Sequence, residues 1–408
     1  MSTDLHLKKT SSVRGTLVGL PASKSVSNRV LILDALCGSQ SKLRNLSEAR
    51  DTVLMQKLLK SSEPVLDVMD AGTTMRFLTA FNAISGRSIH ITGTDRMKER
   101  PIEPLVTALR TIGAEIKYTG REGYPPIEIV GFSGQKSHEV TVPGNLSSQF
   151  ISALMMIGPA LPKGLLIRLS GQIGSRPYIR MTEALMNLFA AKVRFEGSEI
   201  EILSGGLKPV DYSIEPDWSA ASYWYAFTGL AEDADLFLPG NFIDSFQGDQ
   251  VMEKIGVELG VKTEKTADGL SLRKTKAASN LEWDFSDCPD LAQTVVPWSA
   301  ANGIGGIYTG LESLRIKETD RISALQQEIA KFGGSLIETE KGRWTLKPAS
   351  TTIQGSFAFQ TYHDHRMAMG LAPLATKCNV TIQDPSVVNK SYPRFWEDVR
   401  RAGIVTEP

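Results

Sequence analysis

The sequence predicts an α/β protein of two domains, each built from three copies of one supersecondary unit. Three observations lead there: a helix-turn-strand phrase that returns along the chain, alternating apolar strands between its copies, and a length of 408 residues, more than one ordinary core holds. The clearest copy is 107–119 (TALRTIGAEIKYT), which reads as the end of an amphipathic helix, a glycine turn and an alternating strand. The phrase recurs at 183–196, 251–264 and 325–338, and in shortened form at 399–407. Its turns fall at Gly113, Ala190, Gly260, Gly333 and Gly403, spaced by roughly seventy to eighty residues, as a repeated unit requires. A degenerate first copy ends near Lys60, after the helical pattern at 53–59, which makes six. Strands such as 127–130 and 165–169 are bounded by Pro and Gly. The clearest joint lies at 214–217, after Gly205-Gly206 and Pro209, and a cleft between the halves is the expected place for a small ligand.

Composition narrows the function classes. Lys plus Arg (45) equals Asp plus Glu (45), so no global basic field points to nucleic acid or an anionic membrane, and any anion is recognised locally. The first ten residues carry Asp4, Lys8 and Lys9 without an apolar core, which does not read as a signal peptide. The most apolar run, 150–161, is too short to span a bilayer and contains Gly158-Pro159. A cytoplasmic protein is expected. Cys37, Cys288 and Cys378 are far apart with no C-x-x-C, so neither a disulfide framework nor a zinc site is indicated.

The chemistry concentrates at helix starts. Lys317-Glu318-Thr319-Asp320-Arg321 precedes Ile322, Leu325 and Ile329 at helical spacing, with Thr319 or Asp320 as cap and Arg321 in the first turn. A cation there opposes the helix dipole unless an anion joins it. Taken alone, such a start reads as a solvated charged face. The pattern returns, however. Ser23 or Ser25 caps a helix through Val26, Val30 and Leu33, with Lys24 at its mouth and Arg29 four residues past Ser25. Asp70-Ala71-Gly72-Thr73-Thr74-Met75-Arg76 offers close backbone approach at Gly72, a Thr cap and Arg76 in the first turn. Arg96, Lys98 and Arg100 come before Pro101, a good first helical residue, and fit an exposed strand end or an anion contact equally. Ser147-Ser148-Gln149 opens another helix with neutral donors, and Ser175-Arg176-Pro177-Tyr178 opens one more.

His363-Asp364-His365-Arg366 precedes Met367, Met369 and Leu371, with Asp364 as cap; the two histidines lack a third nearby, which argues against a metal. Lys390 stands in the last loop. Arg29, Arg76, Arg321 and Arg366 thus fall in first turns, and Lys24, Lys317 and Lys390 near such starts. Several helix N-termini are expected to face one polyanionic ligand or ligand pair. Glu318 and Asp290 are the carboxylates placed to act there as acid or base, with poised pKa values.

Seven ordered motifs make these starts specific: 20–29 (LPASKSVSNR), 71–76 (AGTTMR), 96–102 (RMKERPI), 147–150 (SSQF), 176–179 (RPYI), 316–321 (IKETDR) and 364–369 (DHRMAM). With them the chain resembles the 3-phosphoshikimate 1-carboxyvinyltransferases, or EPSP synthases, over essentially its whole length. The resemblance implies a two-domain inside-out α/β barrel, each domain three βαβαββ repeats around buried helices. One domain would come from the chain ends, 1–20 and 215–408, mainly on the phosphoenolpyruvate side; 21–214 would be inserted, mainly on the shikimate 3-phosphate side. The family moves the enolpyruvyl group of phosphoenolpyruvate to the 5-hydroxyl of shikimate 3-phosphate, on the route to chorismate and the aromatic amino acids. No metal or organic cofactor is implied, and the expected state is a monomer.

By resemblance, Lys24, Gly72, Arg76, Arg96, Gln149, Arg321, Arg366 and Lys390 hold phosphoenolpyruvate. Lys24, Ser25, Arg29, Ser147, Ser148, Gln149, Ser175, Tyr178, Asp290, Ser313 and Lys317 hold shikimate 3-phosphate. Asp290 is the implied base on the 5-hydroxyl, and Glu318, with Lys24, the implied acid at the methylene carbon. Three positions depart from the family's commoner pattern: Asp70 for Asn and Phe77 for Pro, which bear on the pocket near Gly72 and its response to glyphosate, and Ser313 for Asn, which keeps a polar donor of shorter reach. The sister UDP-N-acetylglucosamine 1-carboxyvinyltransferases use a cysteine in a mobile loop. Here Cys37 lies in an apolar helix, Cys288 between Asp287 and Pro289, and Cys378 between Lys377 and Asn379. A non-catalytic polyanion or RNA binder on a related repeat would show a net basic face and stacking aromatics.

Overall fold

The computed structural model describes residues 4–145, 147–350 and 352–407. Its backbone groups into two compact units, Met1–Ala22 with Glu215–Pro408, and Ser23–Ile214. In the second, strands Val65–Asp67 and Ile89–Thr92 run parallel on either side of helix Gly72–Ala83. Helix Glu103–Ile112 follows, and the hairpin Ala114–Tyr118 with Ile127–Phe132 completes an antiparallel edge. This is a βαβαββ unit with its last strand in the third place of the sheet. Strands Glu139–Pro143, Leu165–Ser170, Val193–Glu196 and Glu199–Ile202 repeat it around helices Ser148–Ile157 and Arg176–Leu188. The degenerate copy keeps helices Lys24–Leu36 and Arg50–Leu59 but only two short parallel strands, Lys42–Arg44 and Asp211–Ser213.

The unit made from the chain ends has three four-stranded copies. One pairs Asn280–Asp284, Gly305–Thr309, Arg343–Lys347 and Ser335–Glu340. Another begins at Ser12–Thr16, and its parallel partner Asp233–Pro239 arrives only after the whole second unit has intervened. In the third, the chain termini replace the hairpin: Leu5–Leu7 pairs with both Asn379–Ile382 and Thr406–Glu407. The sheets remain six separate ones, with no continuous hydrogen-bonded barrel among the described residues.

The repeated turn has a single conformational cause. Gly113, Ala190, Gly260, Gly333 and Gly403 all have positive φ, which reverses the chain from helix into strand. Ala190 adopts it at +62° despite its Cβ.

Each unit buries helices that are apolar on every side, as full enclosure requires. In Trp218–Leu230 every residue but Ser219 is buried, and His365–Leu371 is wholly buried. Helix Ala292–Ala301 packs against both. A Cβ at Gly370 would lie 2.1 Å from the Gln293 carbonyl oxygen, so glycine sets that close approach. In the other unit, Gly72–Ala83 and Ser148–Ile157 are the buried pair. No helix among the described residues is long and apolar enough to cross a membrane.

Candidate active site

In the chain-end unit the charged cluster is built around Arg321, the first residue of helix Arg321–Ala330. Asp320 caps that helix, its Oδ1 accepting from the Ile322 and Ser323 amides at 3.1 Å each. The Arg321 side chain is only 2 % exposed, and every arm of its guanidinium meets a carboxylate. Nε donates to Asp364 Oδ2 at 2.7 Å, Nη1 to Asp290 Oδ1 at 3.0 Å, and Nη2 to Glu318 Oε2 at 3.0 Å. Asp364 also caps helix His365–Leu371 by accepting the Arg366 amide at 2.9 Å. Arg366 Nη2 then reaches Asp290 Oδ2 at 2.9 Å, Lys317 Nζ lies 3.8 Å from Asp290, and Lys390 Nζ 3.7 Å from Glu318. Buried charges persist only when paired and hydrogen-bonded in this way.

The loop that delivers Asp364 is strained. Tyr362 and His363 both have positive φ, a costly pair for residues with side chains. Buried Glu328, two turns beyond Arg321 on the same helix, holds the loop: it accepts from the Tyr362 hydroxyl at 2.5 Å, Lys331 at 2.6 Å and the Gln360 amide at 3.2 Å.

Electrostatics here differ from the expected poised carboxylate. Burial alone would raise the Asp290 carboxyl, but Arg366, Lys317 and Arg321 outweigh it and hold the group well below the usual carboxylate range. Burial would likewise lower Arg321, yet Asp364, Glu318 and Asp290 keep it firmly protonated. Ser313 is half-buried in the turn Glu312–Ile316 just ahead of this cluster.

The inserted unit carries its own polar cluster. Ser23, not Ser25, caps helix Lys24–Leu36, so Lys24 is its first residue. Lys24 Nζ lies 3.1 Å from Oδ2 of buried Asp51. Arg29 donates to Thr182 Oγ1 at 2.8 Å, to Ser152 Oγ at 3.0 Å and to the Ser25 carbonyl at 3.0 Å. Its guanidinium lies over the rings of Phe77 and Tyr178 at 5.4 and 5.9 Å, which gives the departure at Phe77 a use. Burial lowers Arg29 to about 10, so it stays charged at neutral pH. Ser147 caps Ser148–Ile157, and Gln149 Nε2 donates to Thr73 Oγ1 at 3.2 Å, beside Gly72. Arg76 donates to the Pro101 carbonyl at 2.8 Å. Asp70 pairs with Arg50 at 2.6 Å, and Arg96 with Glu99 at 2.9 Å. Ser175 precedes helix Arg176–Leu188 in a left-handed conformation, with Tyr178 half-buried in its first turn.

Several expectations need correction. Arg321 and Arg366 do lie in first turns, but Arg29 and Arg76 are the sixth and fifth residues of helices that begin at Lys24 and Gly72. Ala71 occupies the cap position before Gly72 and no threonine side chain caps that helix. Pro101 does not start a helix: Ile102 is the cap, and Pro104 takes the early position in Glu103–Ile112. Arg96 and Lys98 belong to a short helix, Asp95–Lys98, rather than a strand end. Sequence reading also missed Asp51 and the place of Arg100. The Arg100 guanidinium nitrogens lie 2.6 Å from where a Cβ at Gly72 would sit, so that glycine makes room for a buried cation. Asp51 left one signal, an acid two residues ahead of the 53–59 helical pattern, where it falls in the first turn of helix Arg50–Leu59.

The family model for EPSP synthase (3-phosphoshikimate 1-carboxyvinyltransferase) matches residues 7–63 and 59–399. The chain belongs to the EPSP synthase family. A 3-phosphoshikimate 1-carboxyvinyltransferase of Bacteroides fragilis is 45% identical over 402 residues, covering 98% of this chain and 97% of that protein. One of Methanospirillum hungatei is 32% identical, covering 93% and 94%. Among solved structures, an EPSP synthase of Acinetobacter baumannii superposes with a TM-score of 0.78 at 20% identity, over 100% of both chains. The enolpyruvyl transferase NikO of Streptomyces tendae does so with 0.74 at 13% identity, over 99% of this chain and 98% of that one. These two likenesses establish the two-domain mixed α/β fold of the family.

Proposed function

We propose that the chain is a 3-phosphoshikimate 1-carboxyvinyltransferase, moving the enolpyruvyl group of phosphoenolpyruvate to the 5-hydroxyl of shikimate 3-phosphate with release of phosphate. The observation that carries the site assignment is the Asp290, Glu318, Arg321, Arg366 cluster, where two carboxylates suited to proton transfer are interleaved with cations suited to a phosphate and a carboxylate. Arg321, Arg366 and Lys390, with Lys24, Gly72, Arg76, Arg96 and Gln149, take phosphoenolpyruvate. Lys24, Ser25, Arg29, Ser147, Ser148, Gln149, Ser175, Tyr178, Asp290, Ser313 and Lys317 take shikimate 3-phosphate. The protein acts as a cytoplasmic monomer.

Glu318, with Lys24, gives a proton to C3 of phosphoenolpyruvate, and C2 gains cationic character. The 5-hydroxyl adds to C2 while Asp290 takes its proton. The tetrahedral adduct then returns a proton from C3 to the ionised Glu318 as its C2–O bond breaks, the electron pair leaving with the phosphate, whose charge is stabilised by Arg and Lys. An anionic donor that takes over the hydrogen bonds of Arg321 and Arg366 offsets two of the three cations that hold Asp290 low, leaving Lys317, and so raises its basicity.

All three thiols are held away from the reactive thiolate: burial pushes Cys288 and Cys378 up to about 12 and about 11, and burial with the charge of Asp34 raises Cys37. The test is phosphate release by the purified chain. It should need both phosphoenolpyruvate and shikimate 3-phosphate, and release with UDP-N-acetylglucosamine as acceptor would overturn the assignment.

A further inference from the structure

Helix Trp218–Leu230 leaves only Ser219 short of full burial, and Ser219 and Tyr223 lie one turn apart on one face. Both hydroxyls face Arg366: Nη2 is 3.3 Å from Ser219 Oγ and Nη1 3.4 Å from the Tyr223 oxygen. Toward a guanidinium a hydroxyl can only accept, so its own hydrogen must go elsewhere. Asp249, 3% exposed in the turn Gly248–Val251, takes the Ser219 hydrogen through a short bond to Oδ2. Gln247 fixes that turn by accepting from the Trp218 amide at 2.9 Å and donating to the Pro216 carbonyl at 2.7 Å.

Asp249 is a poor choice for stability alone. Its Oδ1 is buried with no hydrogen-bond partner among the described residues. Burial and the charges of Asp290 and Asp217, opposed by Arg366 and the Ser219 hydrogen bond, push its carboxyl from 3.8 up to about 6. A folded-state pKa above the unfolded one contributes stability only at low pH and loses it as pH rises through about 6.

We propose that Asp249 is a positioning residue for Arg366. It commits the Ser219 hydrogen, leaves the Ser219 lone pairs to the guanidinium, and so orients Arg366 toward the phosphoenolpyruvate anion. This rests on the function proposed above.

The test is a double-mutant cycle on phosphate release with Ser219→Ala, Asp249→Ala and the pair, with Asp249→Asn as the conservative variant. Loss of one charge-assisted hydrogen bond predicts a KM for phosphoenolpyruvate raised about tenfold in each single variant. The KM for shikimate 3-phosphate should not move, and the pair should be no worse than Ser219→Ala alone. Asp249→Asn, whose amide oxygen still accepts the Ser219 hydrogen, should recover most of the loss. Additive effects, or equal rises in both KM values, would overturn the proposal. If Asp249→Ala does not fold, the cycle is run with Asp249→Asn, whose small effect should vanish in the Ser219→Ala background; an effect that persists there overturns the proposal. A wild-type protein that releases no phosphate would refute the function and not the relay. Titration with inorganic phosphate would then decide the relay, by the same pattern in Kd or its absence.

Discussion

Asp364 joins the stability of one unit to the aim of its two central arginines. It is fully buried, takes two hydrogen bonds from Arg321 at 2.7 and 3.3 Å, and caps the helix that starts with His365. Removing one partner of a buried ion pair costs about 3–5 kcal/mol. Arg321 keeps Asp290 and Glu318, so the lower end, about 3 kcal/mol, applies to Asp364→Asn. That variant retains a carbonyl oxygen for the Arg366 amide. Asp364→Ala loses the cap as well, worth about 1 kcal/mol more. All six tryptophans fall within 215–408, so their fluorescence in urea follows this unit without interference from the other. An Asn variant within about 1 kcal/mol of wild type, or Asn and Ala variants of equal stability, would refute the assignment of both roles to Asp364.

Two further outcomes follow from the geometry. Lys24→Met should abolish phosphate release while leaving the chain folded, but it strands the buried Asp51 carboxylate and, since Lys24 is itself partly exposed, should cost about 1–3 kcal/mol, the penalty of a buried group left unsatisfied; adding Asp51→Asn should restore the thermal midpoint without restoring activity. Ala190→Gly removes the Cβ penalty at a left-handed turn and should raise stability by up to about 1 kcal/mol, since the unfolded chain gains entropy in partial offset; a clear loss of stability in thermal melts would count against the turn conformation.

The periodic parts of the fold were legible because they are local. A glycine after an amphipathic helix and before an alternating strand needs no tertiary knowledge, and Ala190 fell into line by position alone. The reduced copy was legible as irregular, although its strands, three residues each and largely exposed, give no apolar alternation to read. Helix starts were read one turn out at Arg29 and Arg76, because several residues near each start could cap and only packing chooses among them. The partners of the site cations were the least legible. Asp51 lies 27 residues from Lys24, and Asp364 43 from Arg321. Pairings of that range depend on how helices pack, and neither spacing nor composition reports it. Asp249 was hidden for the same reason, and its tie to Arg366 runs through a serine that looks like any helix-start residue.

The most direct measurement is turnover in deuterated water followed by proton and phosphorus NMR. Phosphoenolpyruvate and shikimate 3-phosphate should disappear one for one, inorganic phosphate should appear, and the enolpyruvyl ether formed at the 5-oxygen should carry deuterium in its methylene group, because C3 is protonated and then deprotonated. Phosphate released without that ether, or an ether whose methylene stays unlabelled, would contradict the account.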